Sequence, residues 1–456
     1  MKPRPNLPPG PYLVVGLARS GAAAALALRR ADPAAPVVAC DRGAPPEAET
    51  EGTRLGEAGV EVHLNTDGTE LLSRPELMRT LVKSPGVPPG AAVVREAKAH
   101  GVTVVGELEI GWRLVPNEFL AVTGTNGKTT TTELIGAVYE EAGRSVAVAG
   151  NVGTAVSALA GEIDEGTTVV CEASSFQLED AAAFAPETAV FLNFSEDHLD
   201  RHPSAREYLD AKLRLFSHQA ASDVAVLNSA EPVLAQGDVG GSARRVWFGE
   251  GPQCDLRLQG NLLSWQGGSL LDISELQVRG AHNVNNVMAA AAATLARGIE
   301  PDAVRSALRE FRGIEHRLEE VGEAGGILYV NDSKATNVSS ALAALRAFAG
   351  GVHAILGGSL KDAGFATLAP VVGDHCRACY LIGEAAEQLA ADLEPSGVEL
   401  VRSGDLERAF REASTRARSG DTVLLTPACA SFDQYGDYEE RGEHFRALFG
   451  ELEGRS

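Results

Sequence analysis

Apolar runs recur along the chain, and most of them end in a glycine-bearing polar turn followed by residues at helical spacing. The run 119–122 (Phe-Leu-Ala-Val) predicts a buried strand, Gly124-Thr125-Asn126-Gly127-Lys128-Thr129 a turn, and Leu134, Ile135, Val138 and Tyr139 one face of a helix. The chain opens with the same rhythm: a strand at 12–15, the turn Gly16-Leu17-Ala18-Arg19-Ser20-Gly21, an alanine-rich helix over 22–30 and a strand at 37–41. Further strands are predicted at 81–87 (running into a Pro/Gly turn), 102–105, 145–149, 168–172, 189–193 and 224–228, with helices over 204–217, from 280 through 293, and over 302–311. Residues 231–280 are Gly- and Ser-rich and read as short strands. A third series holds a charged turn at 315–319, strands at 327–330, 352–356, 380–382, 398–401 and 422–425, and a helix over 339–348. Strands alternating with helices predict parallel sheets, hence an α/β class. The breaks fall near 111 and 313, which predicts domains over 1–111, 112–312 and 313–456.

Composition narrows the classes. The chain has 456 residues, 44% of them hydrophobic and 22% charged, enough for several globular domains. A net charge of −22 argues against a nucleic-acid binder, so anionic ligands need local clusters of cations and N–H groups. There is no apolar run of 18 residues to cross a membrane. The basic start of the chain is interrupted by Pro8, Pro9 and Gly10 rather than followed by a signal-peptide core. The expectation is a cytoplasmic monomer with neither nucleic-acid nor membrane partner. Six cysteines do not make a disulfide framework, and Cys376-Arg377-Ala378-Cys379 lacks the second pair of a zinc site, so buried thiols at a strand entrance are expected.

The chemistry gathers at strand ends. Strand, glycine turn, Lys-Thr and helix are the layout of a phosphate-binding loop, in which Lys128 reaches the outer phosphates and the Thr129 hydroxyl ligates Mg²⁺. Val122 stands where the strict pattern has its first glycine. Glu172 and His198 fall at or just beyond the C-terminal ends of later strands, where parallel sheets bind ligands. Gly16 to Gly21, with Asp41 at the end of the next strand, comes close to a dinucleotide fingerprint, except that Ala18 replaces the second glycine. Ser84-Pro85-Gly86 can offer N–H groups to a phosphate. Asn283 and Asn286 share a helix face and can either cap the helix or meet a base. Lys334 and Thr336, Lys361, and Ser431 close three strands of the last series, a set that suits a ligand with more than one carboxylate. Lys212, in a helix, would ordinarily be a solvated charge.

Gly124 to Thr129, Glu172 to Gln177, His282 to Asn286, Asn331 to Asn337 and Pro427 to Ser431 together resemble the Mur ligases, over nearly the whole chain. Asn331 to Asn337 and Pro427 to Ser431 resemble the D-glutamate-adding members in particular. The resemblance implies three α/β domains: a Rossmann-like N-terminal domain for a UDP-sugar, a central P-loop ATPase-like domain, and a Rossmann-like C-terminal domain for the amino acid. It implies ATP-driven joining of D-glutamate to UDP-N-acetylmuramoyl-L-alanine through an acyl phosphate. By the same resemblance Thr129, Glu172, His198 and a carbamylated Lys212 would hold two Mg²⁺ ions. ATP would meet Gly124, Thr125, Asn126, Gly127, Lys128, Thr129, Thr130, Asn283, Asn286, Arg317 and Asp332. The UDP-sugar would meet Gly16, Leu17, Ala18, Arg19, Asp41, Arg42, Ser84, Pro85, Gly86 and Asn151. D-glutamate would meet Lys334, Thr336, Lys361, Ser431 and Tyr438. Two departures stand out: Tyr438 where phenylalanine is expected, and Ser359 where aspartate is common. A ligase for another amino acid or for folate, a nucleotide-gated binding protein and an NAD-dependent oxidoreductase are the alternatives. The last leaves the phosphate loop unexplained.

Overall fold

The alternation of apolar strands and glycine-broken turns folds into three sheets in the computed structural model, which describes residues 2–43, 46–73, 78–198, 201–235, 239–278, 280–360 and 364–454. Packing divides the chain into two compact units, one of 1–275 with 285–309 and one of 276–284 with 310–456.

The first unit holds two sheets. One contains β1 (Tyr12–Val15), β2 (Val37–Asp41), β3 (Glu61–Leu64), β4 (Thr80–Lys83) and β5 (Thr103–Gly106), all parallel, in the order β3-β2-β1-β4-β5. Tyr12 and Val14 join one apolar cluster and Leu13 and Val15 another. With both faces covered, the strand reads as an unbroken apolar run. The order reverses at β1, so the Gly16 turn and the Ser84 turn leave neighbouring strand ends, where such sheets open a crevice.

The second sheet contains β6 (Phe119–Thr123), β7 (Val146–Gly150), β8 (Thr168–Glu172), β9 (Thr188–Phe191), β10 (Val224–Asn228), β11 (Arg244–Gly249), β12 (Leu256–Gln259), β13 (Leu262–Trp265) and β14 (Gly268–Asp272). Its order is β14-β13-β12-β11-β10-β9-β6-β8-β7. β6 to β12 pair in parallel, and only the β12–β13 and β13–β14 pairings are antiparallel, as consecutive hairpins. These last strands are the short strands expected in the Gly/Ser-rich stretch. β6 lies between β8 and β9, so Glu172 at the end of β8 and the chain just beyond β9 flank the loop that leaves β6.

The second unit holds β15 (Glu319–Ala324), β16 (Ile327–Asn331), β17 (Val352–Gly357), β18 (Cys376–Ile382), β19 (Glu399–Gly404) and β20 (Thr422–Leu425) in the order β15-β16-β20-β17-β18-β19. Only β15 is antiparallel. The charged turn predicted at 315–319 therefore ends in an edge strand: charges belong on an edge because they discourage pairing with other chains. The helix Tyr438–Glu453, left unassigned by periodicity, buries Phe445, Leu448 and Phe449 against this sheet. Cys376 and Cys379 are both free thiols, and Cys379 is fully buried inside β18. Among the described residues no helix is long and apolar enough to cross a membrane.

Candidate active site

The loop after β6 is shaped by its neighbours. Gly127 takes a φ of +84°, and a Cβ there would lie 2.1 Å from Asn286 Oδ1. Glycine alone lets the asparagine of helix Ala281–Ala296 come this close. The loop is clamped by Asn193, just beyond β9. Its carbonyl accepts from the Thr125 N–H (3.0 Å), its Oδ1 accepts from the Asn126 N–H (2.9 Å), and its Nδ2 donates to the Asn126 carbonyl (3.0 Å). Sequence reasoning gave Asn193 no role. The available signal was a polar residue ending a buried strand beside the loop strand. Lys128 starts the helix Lys128–Glu141 and lays its ammonium across the carbonyls of Gly124 (3.2 Å) and Thr125 (2.9 Å). Thr129 is half-buried beside it. The Thr130 hydroxyl is buried without a hydrogen-bond partner among the described residues.

Lys212 is not on the surface. It is 1% exposed, donates to the Gly124 carbonyl at 2.7 Å, and lies 4.3 Å over the ring of Tyr208. Burial, and then the nearby Lys128, push its pKa well below that of an ordinary lysine, against the opposing pull of Asp197 and Glu172. Two amines thus share one carbonyl, and burial lowers the basicity of the one on Lys212. Burial raises Tyr208 to about 12.

Glu172 is buried. Its Oε1 accepts from Asn151 Nδ2 at 3.0 Å, and its carbonyl accepts from the Asn151 N–H at 2.9 Å. Its Oε2 is buried with no hydrogen-bond partner among the described residues. A carboxylate oxygen cut off from water and from donors is costly unless a cation meets it. With the Thr129 hydroxyl in the first turn of the adjoining helix, the donors are hard oxygens of the kind Mg²⁺ takes. Among the described residues no three His, Cys, Asp or Glu side chains gather as a metal cage.

His198 is exposed, with φ +53°. Its imidazole lies 4.9 Å from the Phe176 ring, and its backbone N–H donates to Asp197 Oδ1 at 2.8 Å. His202, which sequence reasoning missed, is buried 3.1 Å from Ser175 Oγ, and burial lowers its pKa.

In the first sheet the Asp41 carboxylate accepts from the Leu17 N–H (2.7 Å) and the Gly43 N–H (2.9 Å). The acid closes the turn onto itself. Arg42 lies 3.6 Å from Asp67, and Arg19 is exposed beyond Ala18 at a helix start. Gly16, Leu17, Ser84, Pro85 and Gly86 lie on the adjoining turns of β1 and β4.

In the second unit the loops after β16, β20 and β17 leave adjacent strands. Lys334 Nζ sits 5.5 Å from the Tyr438 ring centre, and the Thr336 N–H donates to the Lys334 carbonyl at 2.8 Å. Ser431 is buried. The organiser is Arg441, also missed from the sequence. Fully buried, it donates to Ser333 Oγ (2.9 Å) and to the carbonyls of Ser333 (2.8 Å), Cys429 (3.2 Å) and Ala430 (3.3 Å). Burial lowers it to about 10. Ser359, where aspartate was expected, has a carboxylate beside it all the same: Asp433, whose N–H donates to Ser359 Oγ at 2.9 Å. Burial and then Arg317 lower His282 to about 4. Lys361 lies outside the described residues.

Asp332 accepts from the Leu318 N–H (3.1 Å) and the Thr426 hydroxyl (3.1 Å), with Arg317 nearby. Burial outweighs these and pushes its pKa from 3.8 up to about 7. Below the lower value both folded and unfolded chains hold the proton. Between the two only the folded chain does, so stability falls as pH rises through that window. Asp332→Asn removes this ionisation. Its melting temperature is expected to exceed that of the wild type by about 3 °C at pH 7.5 and to match it near pH 4. Thermal unfolding at the two values checks this, and a pH-independent difference would contradict it.

The sequence matches the family model for the Mur ligase middle domain over 122–294 and that for the Mur ligase glutamate ligase domain over 316–429. Among curated relatives, the UDP-N-acetylmuramoylalanine–D-glutamate ligase of Acidobacterium capsulatum is 41% identical over 444 residues, 96% of this chain and 95% of that one. The protein of the same name from Solibacter usitatus is 41% identical over 447 residues, 97% of this chain and 98% of that one. Among solved structures, a UDP-N-acetylmuramate–alanine ligase from Thermotoga maritima superposes with a TM-score of 0.61 at 18% identity, covering 97% of this chain and 99% of that one. A pseudomurein peptide ligase type C from Methanothermus fervidus gives 0.59 at 18% identity, with the same coverage. At that identity the two structures speak for the fold alone.

Proposed function

The chain belongs to the Mur ligase family, and from that membership we propose how its residues make an amide bond. The activity is the ATP-dependent addition of D-glutamate to UDP-N-acetylmuramoyl-L-alanine, a step in peptidoglycan precursor synthesis. The observation that carries it is likeness to D-glutamate ligases along almost the full length of both chains.

The γ-phosphoryl group of ATP passes to the terminal carboxylate of UDP-N-acetylmuramoyl-L-alanine, and ADP departs. The D-glutamate amine attacks the acyl carbon, loses a proton, and phosphate leaves. Every partner is anionic, so catalysis is mostly positioning and charge stabilisation. Gly124 to Thr130 cradle the phosphates. Lys128 swings from its loop carbonyls onto the outer phosphates. Asn283 and Asn286 face the adenine side, and Arg317 and Asp332 line the remainder of the nucleotide. Thr129 and Glu172 would hold one Mg²⁺, and His198 and a carbamylated Lys212 a second. Such ions, when bound, neutralise phosphate charge. The orphaned Oε2 of Glu172 supports the first site. The depressed basicity of Lys212 supports the second, because only a neutral amine adds to CO₂, losing a proton to give the carbamate.

The UDP-sugar is read as lying at Gly16, Leu17, Ala18, Arg19, Asp41, Arg42, the turn 84–86 and Asn151. D-glutamate is read as lying at Lys334, Thr336, Lys361, Ser431 and Tyr438. These readings give domains over 1–111, 112–312 and 313–456 for UDP-sugar, ATP and amino acid. The protein is read as a monomer working in the cytoplasm.

Substrate carrying ¹⁸O in its terminal carboxylate tests the route. Acyl phosphate formation moves one ¹⁸O into each phosphate released, visible as a displaced ³¹P resonance. Unlabelled phosphate would overturn the route.

A further inference from the structure

Four ionic side chains gather where the turn after β4 meets loops of the second sheet, and the reaction above uses none of them. Lys83 is fully buried. Its ammonium donates to the Val87 carbonyl (2.8 Å) and to Glu179 Oε1 (3.0 Å), and lies 2.6 Å from Asp180 Oδ2. Glu179 Oε1 also accepts from Arg201 Nη2 at 2.5 Å. The same nitrogen donates to the carbonyls of Pro85 (3.2 Å) and Val87 (3.1 Å). The turn 84–87 is therefore gripped by a partly buried charge network centred on the buried Lys83. Such a network holds its geometry because breaking one pair leaves a charge uncompensated.

Arg201 also reaches the other way. Its backbone N–H donates to the His198 carbonyl at 3.0 Å. Its guanidinium lies 4.6 Å over the Phe176 ring, and that ring lies 4.9 Å from the His198 imidazole. One arginine thus holds the turn with its head, and holds His198 both through a peptide bond's N–H and through a shared aromatic ring.

We infer that Arg201 is a positioning residue that transmits occupancy of the turn 84–86 to His198. The inference rests on reading that turn as a seat of the UDP-sugar. Ligand on the turn moves the Pro85 and Val87 carbonyls, the guanidinium follows them, and the Phe176 ring and the His198 peptide follow the guanidinium. Lysine keeps the charge but lacks the planar fork that both bonds the carbonyls and stacks on the ring.

The test uses protein carrying ¹³C-labelled histidine, with the His198 resonance assigned by His198→Gln. UDP-N-acetylmuramoyl-L-alanine is added without nucleotide, and affinity is measured by calorimetry. In the wild type the resonance moves. In Arg201→Lys the ligand is expected to bind within about threefold of wild type while the displacement falls to less than about half. A full displacement in Arg201→Lys means direct contact and overturns the relay. Phe176→Leu cuts the ring path while leaving the charge network, is expected to behave likewise, and decides the matter should Arg201→Lys not fold. Gly86→Val tests the underlying reading, because a Cβ at Gly86 meets nothing within 4 Å. It is expected to weaken binding by about tenfold or more through a clash with the ligand. Wild-type binding by Gly86→Val removes the seat and the inference with it. Weakened binding together with an undiminished displacement in Arg201→Lys removes the relay alone.

Discussion

Lys212→Ala is expected to lower turnover by about a thousandfold and to recover part of it when short-chain carboxylic acids are added. The lysine is 1% exposed and donates to the same Gly124 carbonyl as Lys128. An ammonium there would be buried against a second cation, and its basicity is depressed accordingly. A lysine kept as a cation would make an odd neighbour for a metal site. As a carbamate it presents two oxygens and a negative charge. Alanine leaves a space the length of that side chain, in which a small carboxylate can place the same oxygens. Phosphate release in a series of formate, acetate and propionate checks this. Activity unaffected by the substitution would remove the carbamate role. Activity lost and never restored would leave Lys212 with a packing role only.

The second large effect belongs to Lys128. Lys128→Ala is expected to lower turnover by about a thousandfold or more, since a positioned cation on the transferring phosphoryl group supplies several kcal/mol of transition-state stabilisation. The lysine stands at the first residue of its helix, held over the loop by the Gly124 and Thr125 carbonyls. The loop is clamped independently, through Asn193, so the fold survives the change. Steady-state phosphate release checks the rate, and circular dichroism checks the fold. Near-normal turnover would refute the loop as the phosphate site.

Strands buried on both faces were legible because their sequences are unbroken apolar runs. β6, β8 and β9 could be placed, and with them the strand ends that carry the loop and Glu172. Edges and amphipathic helices were less legible. β15 carries three glutamates and, beyond the turn read at 315–319, was assigned no element, because an edge strand with a solvent face has little apolar pattern to show. Residues that act by organising others were invisible. Asn193, Arg441 and Arg201 are a polar residue at a strand end and two arginines in charged stretches. Only the folded chain shows that they bond several backbone groups at once. Lys212 was legible only through family resemblance. Helical periodicity alone would have left it in solvent, whereas its burial follows from where β6 ends.

The central claim is amide formation specific to D-glutamate. The most direct measurement is phosphate release with ATP, Mg²⁺ and UDP-N-acetylmuramoyl-L-alanine, with and without D-glutamate, using L-glutamate, L-lysine and L-alanine as controls. Release that requires both substrates and accepts only D-glutamate is the predicted result. Release indifferent to the acceptor, or driven by one of the controls instead, would contradict it.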